Sequence, residues 1–221
     1  MANPWDNLTE KFDTNKPADE INAAAADNIM VLWPPIINEI NKNFPNKGGL
    51  TALDFGCGSG GFAEKLAEMG FDVLGVDSSE GMIETSRKNY PDIKFEKDIT
   101  GEFNLITAIM VFQFINDVQT TLEKLIAALK QGGLLFFAVH NPEYVELSKQ
   151  SGHYKDGVLN LDGTEVPIYV RNANDYNEIL TRWGMKKIYE DYPAFTQEYL
   201  AKYPSEITSV SEYLLLGYAK T

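Results

Sequence analysis

The sequence predicts an α/β fold with a largely parallel sheet. Between residues 50 and 140, apolar strand patterns and amphipathic helix patterns follow one another in the order β-α-β-α-β-β-α-β. Two of these strands, residues 103–110 and 134–140, are almost continuously apolar, as strands covered on both faces are. With 221 residues, of which 44% are hydrophobic, the chain is long enough to form a single domain around a sizeable core.

Residues 1–49 precede this alternation as an N-terminal helical arm. Apolar residues at helical spacing predict a helix that starts at Ala18 and is broken by Pro34 and Pro35, because proline clashes with the preceding turn. A second helix then extends to Phe44. The arm either packs against the sheet or covers a ligand as a lid, and the sequence leaves both open.

The first strand, residues 50–55, leads into a glycine-rich turn and a helix at 62–69. The turn contains Gly56, Gly58 and Gly60, and glycine allows both a positive φ and close approach of a ligand to the backbone. The start of the helix offers free N–H groups. This arrangement predicts a site for a nucleotide-like ligand, with a tight turn that binds nothing as the alternative.

The second strand, residues 71–77, ends in Asp77, and Ser78 or Ser79 caps the helix predicted at 80–89. One carboxylate can accept two hydrogen bonds at once, so an acid at this strand end suits the two hydroxyls of a ribose. The simpler interpretation is that Asp77 only caps a turn.

The remaining elements extend the sheet on both sides of an irregular stretch. A helix over residues 118–129 is ended by Gly132 and Gly133, and another follows Asn172 or Asn174. Further strands are predicted at 93–97, 103–110, 134–140, 185–192 and 211–219.

Residues 141–171 interrupt the alternation and predict an insertion that caps the substrate, with a hairpin at Asp162-Gly163. Aromatic and acidic side chains in or beside it could receive an amine or an aromatic hydroxyl compound. The simpler interpretation is a loop packed on its aromatics with a solvated acidic face. These side chains are Tyr144, Tyr154, Tyr169, Tyr176, Glu143, Glu146, Asp156 and Asp162.

Charge and cysteine content narrow the class of protein. The net charge of −13 describes a surface that repels phosphate backbones, so no nucleic-acid partner is expected. Cys57 is the only cysteine, which excludes an internal disulfide and a cysteine-rich metal site, and no metal is predicted.

No signal peptide or long apolar run is recognisable, which predicts a cytoplasmic protein without membrane association. The oligomeric state stays open.

Two glycine patterns overlap in the turn after the first strand. Gly56, Gly58 and Gly61 fit the G-x-G-x-x-G pattern of dinucleotide-binding folds, whereas Gly56, Gly58 and Gly60 fit G-x-G-x-G. Asp54 favours the second, because dinucleotide folds usually carry an apolar residue at this position. The stretch D-F-G-C-G-S-G closely resembles the class I S-adenosylmethionine-dependent methyltransferases, in particular those that act on small molecules.

This resemblance covers residues 50–140 closely and 172–221 in outline. It implies a Rossmann-like sheet of seven strands in the order 3-2-1-4-5-7-6, with the last strand antiparallel and helices on both faces. The hairpin of the sixth and seventh strands separates such a fold from ordinary dinucleotide domains.

The resemblance further implies S-adenosylmethionine as the cofactor and a role for each matching residue. Asp54 would orient the glycine turn near the cofactor amine, and Asp77 with Ser78 would bind the ribose. The methionine part would lie on the turn formed by Gly56, Cys57, Gly58 and Gly60.

Five more residues receive cofactor roles from the same resemblance. Met82 would cover one face of the adenine with its soft thioether, and Asp98 with the N–H of Ile99 would bind the adenine edge. The carbonyl of Met110 would face the cofactor amine. Gln113 follows where relatives often carry His or Gln.

Methyl transfer requires alignment, exclusion of water and, for a protonated acceptor, a proton acceptor. His140 ends the fifth strand, where open α/β sheets place ligands, and could be a general base. It could equally be a hydrogen-bonded residue at the strand end, with alignment alone sufficient for the reaction. His153, in the insertion, is a weaker candidate.

Three functions are compatible with these residues. The first is an S-adenosylmethionine-dependent methyltransferase that methylates a small molecule by in-line displacement. The second is a nicotinamide-dependent oxidoreductase, which only the G-x-G-x-x-G pattern favours and which lacks a recognisable Tyr-x-x-x-Lys or His–Asp pair. The third is a non-catalytic module that binds S-adenosylmethionine.

Overall fold

The computed structural model describes residues 3–17, 19–149, 154–161, 163–205 and 207–221. Within them, one sheet of seven strands and one of three form the β-structure. The strands are β1 Thr51–Phe55, β2 Asp72–Val76, β3 Lys94–Glu96, β4 Phe103–Ile109, β5 Leu129–His140, β6 Tyr154–Lys155, β7 Val158–Leu161, β8 Thr164–Pro167, β9 Met185–Asp191 and β10 Tyr213–Lys220.

The large sheet has the order β3-β2-β1-β4-β5-β10-β9. Strands β1 to β5 are parallel, whereas β10 runs antiparallel to both of its neighbours. Because β9 and β10 are the sixth and seventh strands of this sheet, the predicted order 3-2-1-4-5-7-6 is confirmed. The carboxyl ends of β1, β2, β4 and β5 therefore meet at one edge of the sheet.

Helices cover both faces of the sheet. Neighbouring strand residues point to opposite faces, so Ala52 and Phe136 pack with one set of helices, while Leu53 and Phe137 pack with the other. The first set consists of α1 Ala23–Asp27, α2 Trp33–Asn43, α3 Gly61–Glu68 and α4 Glu80–Asn89. The second set consists of α5 Val118–Ala128 and α7 Ala173–Arg182. Two further helices are α6 Pro142–Ser148, after β5, and α8 Gln197–Lys202, between β9 and β10.

Pro34 and Pro35 do not break the helix that precedes them. A π-helical turn, Asn28–Leu32, joins α1 directly to α2, and the N–H of Trp33 donates to the carbonyl of Asn28 five residues earlier. Pro34 and Pro35 lie in the first turn of α2, where a helix tolerates proline. The predicted interruption was therefore wrong.

Other boundaries differ from the sequence prediction. The predicted helix start, Ala18, lies outside the described residues, and α1 begins at Ala23. Helix α5 ends at Ala128, before the two glycines expected to end it. Helices α6 and α8 were not predicted, although Asn141 and Thr196 cap them with their side chains.

The insertion forms its own small sheet, β6-β7-β8, and the predicted hairpin is present as the antiparallel pair β7 and β8. Asp162, in its turn, lies outside the described residues. Leu159 and Leu161 pack with Leu8 of the N-terminal arm and Met82 of α4. The insertion and the arm thus meet above the sheet edge where β1 and β2 end. None of the described helices has the length and apolar character needed to cross a membrane.

Candidate active site

A cavity of about 1020 Å³ lies at the carboxyl end of the parallel strands. Its floor includes Asp54 from β1, Asp77 after β2, Met110 after β4 and His140 from β5. The N-terminal arm, the insertion and the segment around α8 supply the remaining walls. This is where a doubly wound α/β sheet places its ligands.

The glycine turn supports one wall of this cavity. The N–H groups of Gly56 and Cys57 both donate to the carbonyl of Val76, at 2.7 and 3.0 Å, which fixes the turn against β2. Gly56 has a φ of +72°, and a Cβ there would lie 2.3 Å from the Val111 side chain. Gly58 has a φ of +52°, and a Cβ there would meet nothing within 4 Å. Gly56 thus serves packing, and Gly58 faces open space.

Asp77 closes the other side of the turn. Its Oδ2 accepts from the N–H of Gly58 at 3.0 Å, and its Oδ1 accepts from the N–H of Ser79 at 2.9 Å. Burial raises the pKa of Asp77, and these backbone donors offset part of that rise. A carboxylate has about four lone-pair sites, so Asp77 keeps acceptor capacity for a ligand in the cavity.

Asp54 is buried beneath the turn. Its Oδ1 accepts from the hydroxyl of Thr107 at 2.8 Å. Burial first, and then the nearby charge of Asp77, raise the pKa of Asp54 to about 7. A buried carboxylate at this point provides negative potential for a cationic group that enters the cavity.

Ser78, Met82 and Met110 also line the cavity, as does Cys57, whose thiol is buried with a raised pKa. Met110 is one of two described non-glycine residues with a positive φ, at 59°, and its N–H donates to the carbonyl of Ala138 at 2.9 Å. Such a backbone conformation is unusual for a non-glycine residue, and conformations of this kind cluster at active sites.

Four other residues with predicted cofactor roles are not among the described residues that line the cavity. A Cβ on Gly60 would meet Phe95 and Tyr90, so Gly60 serves the packing of α3 on α4. Asp98 is exposed and Ile99 is half-buried beyond the end of β3, where Lys97 reaches the cavity instead.

Gln113 is the fourth, and it lies in a 3₁₀ turn after β4. Its side-chain amide is buried and neither polar atom has a hydrogen-bond partner among the described residues. Its main-chain carbonyl accepts from the N–H of Tyr169 at 2.7 Å and so ties the end of the insertion to the sheet.

A second part of the cavity, here named the tyrosine chamber, joins two residues that the sequence indicates, His140 and Tyr154, with four that it does not. The hydroxyl of Tyr154 lies 3.2 Å from Nδ1 of His140, and Oε1 of Glu212 lies 3.8 Å from the same nitrogen. The hydroxyls of Tyr199 and Tyr213 lie close enough to the Asp27 carboxyl group to lower its pKa. The chamber consists of Asp27, His140, Tyr154, Tyr199, Glu212 and Tyr213.

Both carboxyl groups of the chamber have raised pKa values. Burial, followed by the charge of Asp27, raises the pKa of Glu212 to about 7, against opposing hydrogen bonds from Tyr144 and Tyr213. Burial likewise raises the pKa of Asp27. Perturbed carboxyl groups in a cavity are typical of ligand or catalytic sites.

The N-terminal arm is hydrogen-bonded over the glycine turn and the start of α4. Oδ1 of Asp6 accepts from the Ser79 hydroxyl at 2.6 Å and from the N–H of Gly81 at 3.2 Å. The Ser59 hydroxyl donates to the carbonyl of Phe12 at 3.1 Å and accepts from the N–H of Thr14 at 3.3 Å. The arm therefore covers one mouth of the cavity.

The aromatic and acidic residues predicted in the insertion separate into two groups. Tyr144 and Tyr154 line the cavity, whereas Tyr176 packs in the core beneath the sheet against Phe112 and Phe137. Tyr169, Glu143, Glu146 and Asp156 are not among the described lining residues. His153 and Asp162 lie outside the described residues.

The sequence of this chain is similar to a protein family and to several curated proteins. Residues 21–203 match the family described as methyltransferase domain. Malonyl-[acyl-carrier protein] O-methyltransferase of Priestia megaterium is 31% identical over 131 residues, which are 54% of this chain and 47% of the relative. Ubiquinone biosynthesis O-methyltransferase of Coxiella burnetii is 33% identical over 107 residues, 43% of this chain and 46% of the relative. The chain spans about half the length of these curated relatives.

A solved structure supports the fold. The S-adenosylmethionine dependent methyltransferase from Mesorhizobium loti matches with a TM-score of 0.68 at 21% identity, over 90% of this chain and 100% of that chain. This similarity and the antiparallel pairing of β10 with β9 both favour a methyltransferase fold over a nicotinamide-binding fold. Because the family match covers most of the chain, this chain belongs to the methyltransferase domain family.

Proposed function

We propose that this protein is an S-adenosylmethionine-dependent methyltransferase that methylates a small-molecule acceptor. The observation that carries the proposal is the pairing of Asp77 with the glycine turn at the edge of the cavity. The shared cavity has a second part, the tyrosine chamber, in which an acceptor can be held.

The described residues fit this cofactor in three respects. The volume of about 1020 Å³ is at the upper end of small-ligand sites, which span about 300–1,000 Å³, so it suits a nucleoside cofactor together with an acceptor. Gly58 leaves open space in front of the turn. Asp77 retains acceptor capacity for a ribose hydroxyl.

Each part of the site has a distinct task in this proposal. The glycine turn and Asp54 hold the methionine part, Asp77 and Ser78 the ribose, and Met82 one face of the adenine. When bound, S-adenosylmethionine supplies an electrophilic methyl group on a sulfonium. The protein aligns the acceptor, and the arm and the insertion exclude water.

A proton released by the acceptor can be received in the chamber. His140 and Glu212 both line the cavity and lie 3.8 Å apart. A carboxyl group with a pKa near 7, as at Glu212, is matched to accept a proton at neutral pH. His140 stays a candidate base beside it.

Turnover distinguishes this function from a non-catalytic module. Purified protein is incubated with methyl-labelled S-adenosylmethionine and an acceptor panel of amines, phenols and carboxylic acids, and S-adenosylhomocysteine release is measured. We expect acceptor-dependent release that is lost in Asp77→Ala. Binding of S-adenosylhomocysteine without turnover on any class would favour the module, and no binding of either cofactor form would contradict both.

A further inference from the structure

We propose that the tyrosine chamber binds the methyl acceptor as a cationic amine, an inference that rests on the proposed methyltransferase function. The chamber combines two half-buried carboxyl groups, Asp27 and Glu212, with a wall of tyrosine rings inside the cavity. An ammonium group is the ligand that satisfies both features at once.

The first support comes from the carboxyl group of Asp27. Its Oδ1 atom is buried and has no hydrogen-bond partner among the described residues. Leaving a buried acceptor unpaired is costly. Asp27 also lines the cavity, so an N–H donor in the chamber would supply the missing partner.

The second support is the proximity of Glu212 to Asp27. The two groups lie close enough for the charge of Asp27 to raise the pKa of Glu212. Two like charges in one partly desolvated space repel each other, and a cation between them removes that repulsion. A carboxylate or phenolate acceptor would add a third negative charge, so the chamber disfavours it.

The third support is the aromatic wall. Tyr199 stacks on Phe195 with ring centroids 4.7 Å apart, and Tyr213 stacks against the ring of His140 at 6.1 Å. Tyr154 stands edge-on to His140 from the insertion side. Ring faces attract ammonium groups, more strongly where water is excluded.

Lys202 and, when it is protonated, His140 are cationic groups near the chamber. Lys202 lines the cavity but is exposed, with its Nζ over the ring of Tyr203 at 5.1 Å. Among the described residues, the ion-pair geometry at Glu212 is with His140. In the part of the chain that the structure describes, the groups that shift the pKa values of Asp27 and Glu212 are carboxyl and tyrosine groups, and none is a lysine or arginine.

The same groups can convert the bound cation into a nucleophile. An N–H bond of a primary or secondary ammonium breaks, the proton forms an O–H bond on the Glu212 carboxylate, and the electron pair stays on nitrogen. The amine that remains in the chamber is then neutral and carries the lone pair needed for methylation.

Three probes of matched shape and different charge test the inference. Benzylamine, benzyl alcohol and benzoate are titrated calorimetrically into the protein, with and without saturating S-adenosylhomocysteine. We expect benzylamine to bind at least about tenfold more tightly than either other probe, a ratio in the range of cation–π and charge-assisted contacts. Equal or tighter binding of benzyl alcohol or benzoate, or no binding of benzylamine, would overturn the inference.

Isosteric variants locate the binding. Asp27→Asn and Glu212→Gln should each weaken benzylamine at least about fivefold and leave benzyl alcohol unchanged, because they remove charge and keep shape. Glu198→Gln removes the same charge from the exposed face of α8 and is the control. If all three variants behave alike, the chamber does not bind the amine.

The two proposals fail separately in this experiment. Binding of S-adenosylhomocysteine without selectivity for benzylamine would overturn the amine inference and leave the methyltransferase proposal standing. Selective benzylamine binding by a protein that does not bind S-adenosylhomocysteine would overturn the methyltransferase proposal and leave the chamber as an amine-binding site. Thermal melting shows whether each variant is folded. Asp27→Asn and Glu212→Gln test the amine inference independently of each other.

Discussion

The carboxylate of Asp77 accepts a hydrogen bond from the backbone N–H of Gly58, 3.0 Å away. This bond joins the end of β2 to the glycine turn after β1, two elements that are already neighbours in the sheet. The two sites predicted separately from the sequence, an acid for a ribose and a turn for a polar tail, are therefore one surface. The following predictions depend on that surface and on the residues that enclose it.

A methyl group at Gly58 should impair cofactor binding more than folding. Gly58→Ala places its Cβ in open space at the cavity wall, with a φ of +52°, so the stability cost should be about 1–2 kcal/mol for a non-glycine residue in this region. S-adenosylhomocysteine affinity, measured calorimetrically, should fall at least about tenfold, because the Cβ occupies ligand space.

Gly49→Ala is the matched control for this variant. Gly49 has a φ of +79°, and a Cβ there would also meet nothing within 4 Å, but Gly49 precedes β1 and is not among the described lining residues. The control variant should lose similar stability and keep its affinity. An equal loss of affinity in both variants would show that strain, and not ligand space, is responsible.

The N-terminal arm should loosen when Asp6 is removed. Asp6→Ala deletes the acceptor for the Ser79 hydroxyl and the Gly81 N–H. Because Asp6 accepts a hydrogen bond at the start of α4, its removal should speed hydrogen exchange of the amides in the arm and the first helical turn roughly threefold or more. Hydrogen–deuterium exchange of residues 3–14 and of the first turn of α4 measures this effect.

Glu10→Ala serves as the comparison within the same arm, because Glu10 forms an exposed ion pair with Lys16. Exchange in this variant should stay close to that of the unaltered protein. If Asp6→Ala also leaves exchange unchanged, the arm is held by its apolar contacts and not by the helix start.

The stability of the ligand-free protein should depend on the ionisation of Glu212. Burial raises its pKa from 4.5 to about 7 in the folded state, so the folded state binds more protons between these values and stability falls as pH rises through them. Glu212→Gln should therefore raise the melting temperature by several degrees at pH 8, and change it little at pH 5, where both side chains are neutral.

The groups that face Glu212 are Asp27, His140, Tyr144 and Tyr213. Because the charge of Asp27 raises the pKa of Glu212, the comparison of Glu212→Gln with the unaltered protein reports the coupled titration of these groups. Glu198→Gln should show no pH-dependent difference, because Glu198 is exposed. A constant difference between Glu212→Gln and the unaltered protein across pH 5 to 8 would contradict a raised pKa at Glu212.

The sequence predicted the parts of the fold that depend on local pattern. The apolar runs of β4 and β5 and the glycines after β1 each carry their signal within a few residues. The π-turn at Asn28–Leu32 was missed because proline usually ends a helix, and only packing of the continuous helix on the sheet reveals the exception.

The position of the two strand-end acids could be predicted, and the assembly of the tyrosine chamber could not. Asp54 and Asp77 lie next to recognisable strand ends, so their positions follow from the parallel sheet. Asp27 and Glu212 come from α1 and from the residue before β10, nearly the whole chain apart. Their approach depends on the antiparallel return of β10 beside β5, and no local pattern indicates it.

The affinity of S-adenosylhomocysteine for Asp77→Asn tests the central claim most directly. Asp72→Asn, at the exposed opposite end of the same strand, is its control. Hydrogen bonds to a charged group contribute about 1.5–3 kcal/mol each, so calorimetry should show binding to the unaltered protein and to Asp72→Asn, and at least about tenfold weaker binding to Asp77→Asn. Unchanged affinity in Asp77→Asn, or no binding to the unaltered protein, would contradict the account.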